Sequence, residues 1–322
     1  MAPVTVFLLN DTSVSGHPGC VIVMSVIRNN LERVGIRIGG TWPVALDWKF
    51  GLNALPSYRK ASAIIVNGEG TIHHTASRPA ARRLVQSARN AKATRDRPVY
   101  LINATIEGIE ERDAADLGYF DHIFVRERQS YETLLGYGFN NVSIVPDLCL
   151  TAEFRKTTRS SRQVLTDSVL PTITAQLKKR SLKTQDSILP MQPLRIVSYL
   201  RWILDSAALQ KNAASYFEAI ASARSVVTGR FHAAIFCLLA ETPFLAIASN
   251  TSKIQATLID ALGDDTRMIL GEDLGRPDLA VPSFSESEQQ HLRVYIASAK
   301  KRAQGMFDKI AHELGASRSH LE

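Results

Sequence analysis

At 322 residues, 45% of them hydrophobic, the chain is long enough to bury two cores of ordinary domain size. Its formal charge of +7 makes a surface that attracts anions such as phosphates and acidic saccharides. No RRM, KH or zinc-finger signature accompanies the basic residues, so nucleic acid is disfavoured.

Cys20, Cys149 and Cys237 are odd in number, far apart and without metal-ligand spacing, and read as reduced thiols in a cytoplasmic protein. The opening "MAPVTVFLLNDTS" lacks a basic flank and a long enough apolar run for a signal peptide, and "FCLLAETPFLAIA" is interrupted by Glu241, Thr242 and Pro243. A soluble protein is expected, with peripheral contact at the inner face of a membrane left open.

Short apolar, β-branched runs alternate with helical patterns in chain order. "VTVFLL" reads as a strand, "CVIVMSVIRNNLERVG" as a helix, "ASAIIV" as a strand and "ARRLVQSARNAKA" as a helix. "PVYLINA" and "HIFVRE" are strands, "SYETLLGYG" a helix and "NVSIVPD" a strand. This βα alternation predicts a parallel-sheet domain over residues 1–150. The polar stretch 151–163, "TAEFRKTTRSSRQ", is the linker candidate.

A second series predicts another α/β domain over 164–284: "QVLTDSV", helix "LPTITAQLKKR", strand "LRIVSYL", helix "AASYFEAIASA", strand "SVVTG", helix "FHAAIFCLLAE" and strand "PFLAIAS". Residues 285–322 are read as a long amphipathic helix with a Ser and acidic residues at its start, followed by the tail "ASRSHLE", expected to be disordered, whose closing Leu-Glu has the look of an added sequence.

Polar clusters follow the predicted strands, where open α/β sheets bind ligands. After the first strand stand Asn10, Asp11, Ser13, Ser15 and His17, which serve equally well as turn and N-cap residues. After "ASAIIV" come Asn67, Gly68, Glu69, Gly70, Thr71, His73 and His74. Their Gly68-x-Gly70 fails the dinucleotide fingerprint, because His73 occupies the third glycine position. The glycines admit a close backbone approach to a ligand or a positive-φ turn. Neighbouring histidines cannot both face one metal from a helix or strand, so no metal site is expected; one is read as a substrate ligand or proton carrier.

Arg126 closes a strand beside Glu127, and Ser130 is placed to cap the next helix. Asp147 either holds Arg126 or starts a turn. In "VVTGRFHAAIF", Arg230 and His232 open a helix whose free N–H groups already favour an anion. A cation there makes sense with an anion between it and the helix. Lys253 repeats the pattern in the first turn of "KIQATLID", and Arg126, Arg230 and Lys253 together suit a small polyanion.

The order of these motifs resembles the polysaccharide pyruvyl transferase family. The resemblance runs through "NDTSVSGHPGC", "VNGEGTIHH", "VRERQSYETLLGYGFNNVSIVPD" and "VVTGRFHAAIFCLLAETPFLAI" to Lys253, and "TGRFHAAI…TPFLAI…K" is its most specific piece. The Gly-Asp pair common in the family's first motif is absent from "GHPGC", and Gly-Glu-Gly stands where three glycines are common.

The resemblance implies an α/β protein of GT-B-like fold, two Rossmann-type domains with parallel sheets facing across a cleft. It also implies transfer of the carboxyvinyl unit of phosphoenolpyruvate to a sugar of an exopolysaccharide or cell-surface glycan precursor, as a pyruvate ketal with release of phosphate. His232 would be the acid that protonates the donor, Arg230 and Arg126 would hold its phosphate and carboxylate, and Lys253 would assist. The other substrate-binding candidates are Asn67, Gly70, Ser130 and Asp147 with Asp11, Glu69, His73 and His74, the last four on the side of the acceptor, free or lipid-linked. Asp11, Glu69, His73 and His74 are the candidates for the base. No cofactor or metal is expected. The alternative is a GT-B glycosyltransferase using a nucleotide sugar, since fold does not fix function.

Overall fold

The alternation of buried apolar runs with amphipathic segments produces two separate parallel sheets. The computed structural model describes residues 4–44, 46–154, 158–191, 202 and 204–316. Its residues group into two units, the first made of Met1–Val14, Met24–Leu148 and Ala299–Glu322, the second of Ser15–Val23 and Cys149–Ser298.

In the first unit, β1 (Val4–Asp11), β2 (Ile36–Pro43), β3 (Ala63–Glu69), β4 (Val99–Ala104), β5 (His122–Val125) and β6 (Val142–Ile144) form a parallel sheet. Its order is β2-β1-β3-β4-β5-β6. Every residue of β3 and β4 is buried, which is why residues 63–66 and 99–102 read as unbroken apolar runs rather than as alternating ones. The unit's helices are most of α1 (Pro18–Arg33), α2 (Pro56–Lys60), α3 (Pro79–Thr94), α4 (Glu111–Leu117) and α5 (Arg128–Gly136). Phe7, Tyr58, Ile64, Leu101, Phe120 and Ile123 belong to one apolar core.

The strand β2 escapes sequence reading because Gly39 and Gly40 interrupt its pattern. A side chain at Gly39 would lie 2.5 Å from Thr5 Cγ2, and one at Gly40 2.8 Å from Phe7 Cε2. Here the glycines serve packing against β1, and their low strand propensity hides the strand.

The second unit repeats the same plan. β7 (Gln163–Ser168), β8 (Ser187–Leu189), β9 (Ser225–Gly229), β10 (Phe244–Ile247) and β11 (Met268–Ile269) make a parallel sheet ordered β11-β10-β9-β7-β8. Helices α6 (Pro171–Thr184), α7 (Ser206–Ala221), α8 (Phe231–Ala240) and α9 (Lys253–Leu262) accompany it. Leu165, Leu177, Val227, Ile247 and Leu274 form an apolar core. Phe154 stacks on Phe217 at 3.6 Å between centroids, with Phe236 edge-on to Phe217 at 5.5 Å. The strand expected at "LRIVSYL" lies outside the described residues, as do residues 155–157 of the linker candidate and the last six of the polar tail.

Two expected boundaries shift. The final helix α10 (Glu286–Glu313) does not stand apart as 285–322; its stretch from Ala299 groups with the first unit, and its start with the second. Likewise α1 passes from the second unit into the first after Val23. A helix of 28 residues is about 42 Å long, enough to take part in two packing units. In the first unit Ala299, Ala303, Met306, Phe307 and Ile310 line one buried face at helical spacing. Tyr100 Oη donates to Glu313 Oε2 at 2.8 Å to fix the helix end. No helix among the described residues is long and apolar enough to cross a membrane.

Candidate active site

The first sheet has the strand order 2-1-3-4-5-6 and the second, among the described residues, 2-1-3-4-5, the flavodoxin-like doubly wound plan, which opens a ligand crevice where strands one and three diverge. In the first unit that point is the carboxyl end of β1 and β3. Asn10 has a positive φ of 62°, which turns its amide to donate to the Asn67 carbonyl at 2.6 Å. Asn67 Nδ2 in turn donates to Thr12 Oγ1 at 3.2 Å and Glu69 Oε1 at 3.1 Å. Asp11, fully buried, accepts from Ser13 N at 3.1 Å and pairs with Arg28. Asn67 Oδ1 is buried and has no hydrogen-bond partner among the described residues. That spare acceptor is costly unless a ligand or water donates to it.

The glycine-rich turn works differently from the sequence expectation. Gly68 faces Ala104 of β4, where a Cβ would approach Ala104 Cβ to 2.5 Å, so it serves strand packing rather than ligand approach. Glu69 and Gly70 fill the turn closed by Thr71 N to Gly68 O at 3.1 Å, and the positive φ, 39°, falls on Glu69.

His73 and His74 are in neither helix nor strand, so the rule that separates neighbouring side chains does not apply. His74 adopts φ 50°, which brings the two Nδ1 atoms to 2.7 Å. Arg78 engages His73 Nε2. The pair is bound to itself and to an arginine.

At β4 and β5 the side chains form one buried polar network. Arg126, 1% exposed, directs Nη1 to Asp147 Oδ2 at 2.8 Å and Nε to Thr105 Oγ1 at 3.1 Å. Asp147 is thus its anchor rather than a turn residue. Ser130 does not cap α5, which begins two residues earlier. Its hydroxyl is taken by Glu127 and by Ile106 N, the latter at 2.7 Å, so it ties the helix to the loop after β4. Near β1 and β2 the first unit also holds a small recess of about 50 Å³, lined by Asn10, Trp42, Trp48, Thr71 and Arg83 among others.

In the second unit the divergence lies between β7 and β9. Asp167, near the end of β7, receives Arg230 Nε at 3.0 Å and a second, shorter bond from Arg230 Nη2. Sequence reading misses Asp167, because it is one polar residue in an otherwise strand-like run and its partner is set by strand order. Gly229 is needed beside it: a Cβ there would meet Ser168 Cβ at 2.5 Å.

Arg230 precedes α8 and His232 sits in its first turn, both nearly buried. Lys253 opens α9 with Nζ 5.9 Å from the Phe231 ring centre. His17 completes the group, its ring centre 5.4 Å from that of His232. Burial, then the positive charges of His232, Arg230 and Lys253, push the His17 imidazole well below its ordinary value of 6.5. Gly19 makes the approach possible, since a Cβ on it would fall 2.1 Å from His232 Cγ. The outcome is a wall of cationic side chains with one neutral imidazole in it, Arg230 being paired with Asp167.

The fold and these switch-point sites define a protein of two Rossmann-type parallel-sheet α/β domains with the GT-B fold. Solved structures of that fold resemble it over most of their length. A putative UDP-N-acetylglucosamine 2-epimerase of Listeria monocytogenes matches with TM-score 0.59 and 12% identity, covering 98% of each chain. An uncharacterized protein of Klebsiella pneumoniae matches with TM-score 0.57 and 13% identity over 83% of this chain and 92% of that one. A glycosyltransferase involved in avilamycin A biosynthesis reaches TM-score 0.50 at 9% identity, covering 96% and 98%. No curated protein matches the sequence.

Residues 20–251 match the family model described as polysaccharide pyruvyl transferase, and the chain belongs to that family. The match includes Arg126, Asp147, Asp167, Arg230 and His232. It stops two residues before Lys253 and begins after His17.

Proposed function

We propose that this pyruvyl transferase moves the carboxyvinyl unit of phosphoenolpyruvate onto a saccharide of an exopolysaccharide or cell-surface glycan precursor, forming a cyclic pyruvate ketal. The observation that carries the reading is His232 beside Arg230, Lys253 and His17 at the switch point of one sheet. Phosphoenolpyruvate brings a phosphate and a carboxylate, the charges such a wall would neutralise.

His232 donates a proton to C3 of the enol phosphate, and the positive character left at C2 is attacked by a sugar hydroxyl. Phosphate then leaves with the help of Arg230, and a second hydroxyl closes the ketal. Of the two hydroxyl protons, one balances that delivered to C3 and the other departs with phosphate. The bound polyanion favours the protonated form of His232, while neutral His17 beside it does not compete for the donor's charge.

Protonation activates the donor, so the step needs no metal or organic cofactor. Arg126 is the first unit's candidate for an anion contact, held in place by Asp147. On the acceptor side, Trp42 and Trp48 supply apolar faces for a sugar ring, with Asn10, Asn67 and Glu69 as polar partners. The donor and the reaction belong to the cytoplasm, with the acceptor presented free or on a lipid carrier at the inner membrane face.

The test is phosphate release from phosphoenolpyruvate by the purified chain in the presence of candidate glycan acceptors. His232→Ala should abolish it and Arg230→Lys should cut it sharply, because a point charge does not replace a two-pronged guanidinium. Undiminished release by His232→Ala would remove His232 from the acid role. Binding of a uridine or cytidine nucleotide, with none of phosphoenolpyruvate, would overturn the whole reading in favour of a nucleotide-sugar transferase.

A further inference from the structure

The segment His17-Pro18-Gly19-Cys20 and the start of α8 belong to the same unit, and they bring together three soft donors that the transfer reaction does not need as a set. One ligand atom each from His17, Cys20 and His232 lies within 4.8 Å of the others. His17 Nδ1 is buried and has no hydrogen-bond partner among the described residues. From these observations we infer that His17, Cys20 and His232 form a binding site for a borderline-soft divalent cation of the zinc class.

The donor set decides the class. Two imidazoles and a thiolate match zinc or cobalt and are poor ligands for magnesium or calcium, which take oxygen. With metal–nitrogen bonds of about 2.0–2.1 Å and metal–sulfur of about 2.3 Å, tetrahedral ligands stand about 3.4–3.7 Å apart. Binding would draw the three donor atoms together by about 1 Å, and water would supply a fourth ligand. Gly19 holds the two arms at that range, because any side chain on it would push His232 away. The nearby Cys149 is engaged elsewhere, its Sγ donating to the Gly19 carbonyl at 3.4 Å.

One consequence rests on the proposed reaction. A metal on His232 occupies the lone pair that must carry the proton, so the cation is an inhibitor and not a cofactor. The same pocket would then report metal availability by shutting down transfer.

The site is tested on the full chain by titration with Co²⁺, followed by displacement with Zn²⁺. The expected result is one equivalent bound, with a thiolate-to-cobalt absorption band that zinc removes. Cys20→Ser should abolish the band, and His17→Gln should weaken binding at least about tenfold. Cys149→Ser and Cys237→Ser should leave both unchanged. Far-ultraviolet circular dichroism of each variant separates lost ligation from lost folding.

No band in the folded wild type, or a band that survives Cys20→Ser, overturns the site. So does its disappearance in Cys149→Ser alone. Phosphate release completes the test, with Zn²⁺ expected to suppress the wild type and spare Cys20→Ser. Cobalt binding through Cys20 without zinc inhibition keeps the site and overturns the acid role of His232, so the two ideas fail separately.

Discussion

Arg230 and His232 are two residues apart at the start of one helix, yet what surrounds them comes from three different stretches of chain. Asp167 holds the guanidinium in two bonds, at the end of a neighbouring strand. Replacing it with alanine strands a nearly buried cation, and breaking such a pair costs about 3–5 kcal/mol. Asp167→Ala should therefore lower the unfolding free energy by that amount in denaturant titration, with phosphate release falling as Arg230 loses its aim. Gly19→Ala attacks the other side. Its methyl would sit 2.1 Å from His232 Cγ, so the imidazole must move. Phosphate release should drop roughly 100-fold, because misplacing a reacting group by about 1 Å costs that much. The stability loss should be the smaller one of about 1–3 kcal/mol typical of overpacking. The arginine and histidine announce themselves in sequence by interrupting an apolar run, and His17 stands out in the polar cluster after the first strand, although nothing there names His232 as its neighbour. Asp167 does not, since it becomes meaningful only through a partner that the linear sequence sets far away.

Among the elements, the long runs of β1, β3, β4 and β9 and helices such as α3 are legible because a fully buried strand or a one-sided helix leaves a periodic record. The short or atypical ones are not. β2 carries two glycines where Thr5 and Phe7 press against it, and β11 has only two residues. The start of α10 rests on an interaction that no periodicity foretells. Arg267, 1% exposed, bonds Glu288 through Nε at 2.7 Å and Nη2 at 3.0 Å, and Ser285 N donates to the same carboxylate at 2.7 Å. Burial would raise the Glu288 carboxyl, but these bonds from Arg267 and Ser285 together hold it below its ordinary value of 4.5. A carboxyl lowered by folding contributes stability that is fully present above its unfolded pKa and is lost as pH falls through the folded one. Melting temperature measured against pH should thus decline below about pH 4.5, and Glu288→Gln should flatten that decline while lowering the plateau. On the same helix, Phe307 is fully buried, and Phe307→Ala should cost about 3–5 kcal/mol in denaturant unfolding.

For the molecule as a whole, the alternation of strand and helix is enough to foresee two parallel-sheet domains. It is not enough to say which residues each one owns. Composition puts the division at a polar stretch near residue 151, whereas packing assigns Ser15–Val23 to the later unit and Ala299–Glu322 to the earlier one. A linker can be read from composition, but a helix shared by two cores has no compositional seam. A fragment of residues 1–148 should then melt at a lower temperature than one that also carries 299–316. It would leave Tyr100 without its Glu313 partner and expose the core that Phe307 and Ile310 cover. Equal melting temperatures for the two fragments would show that the shared helix adds nothing to the first unit.

That division of ownership reaches into inheritance. The imidazole beside His232 is encoded 215 codons upstream of it, on the other side of the apparent linker. A recombination event that exchanged the later half between relatives at the apparent linker would deliver His232, Arg230 and Lys253 without the matching His17 and Gly19. Chimeras of this kind should fold more often than they function, and lineages that swap halves should carry compensating changes within residues 15–23.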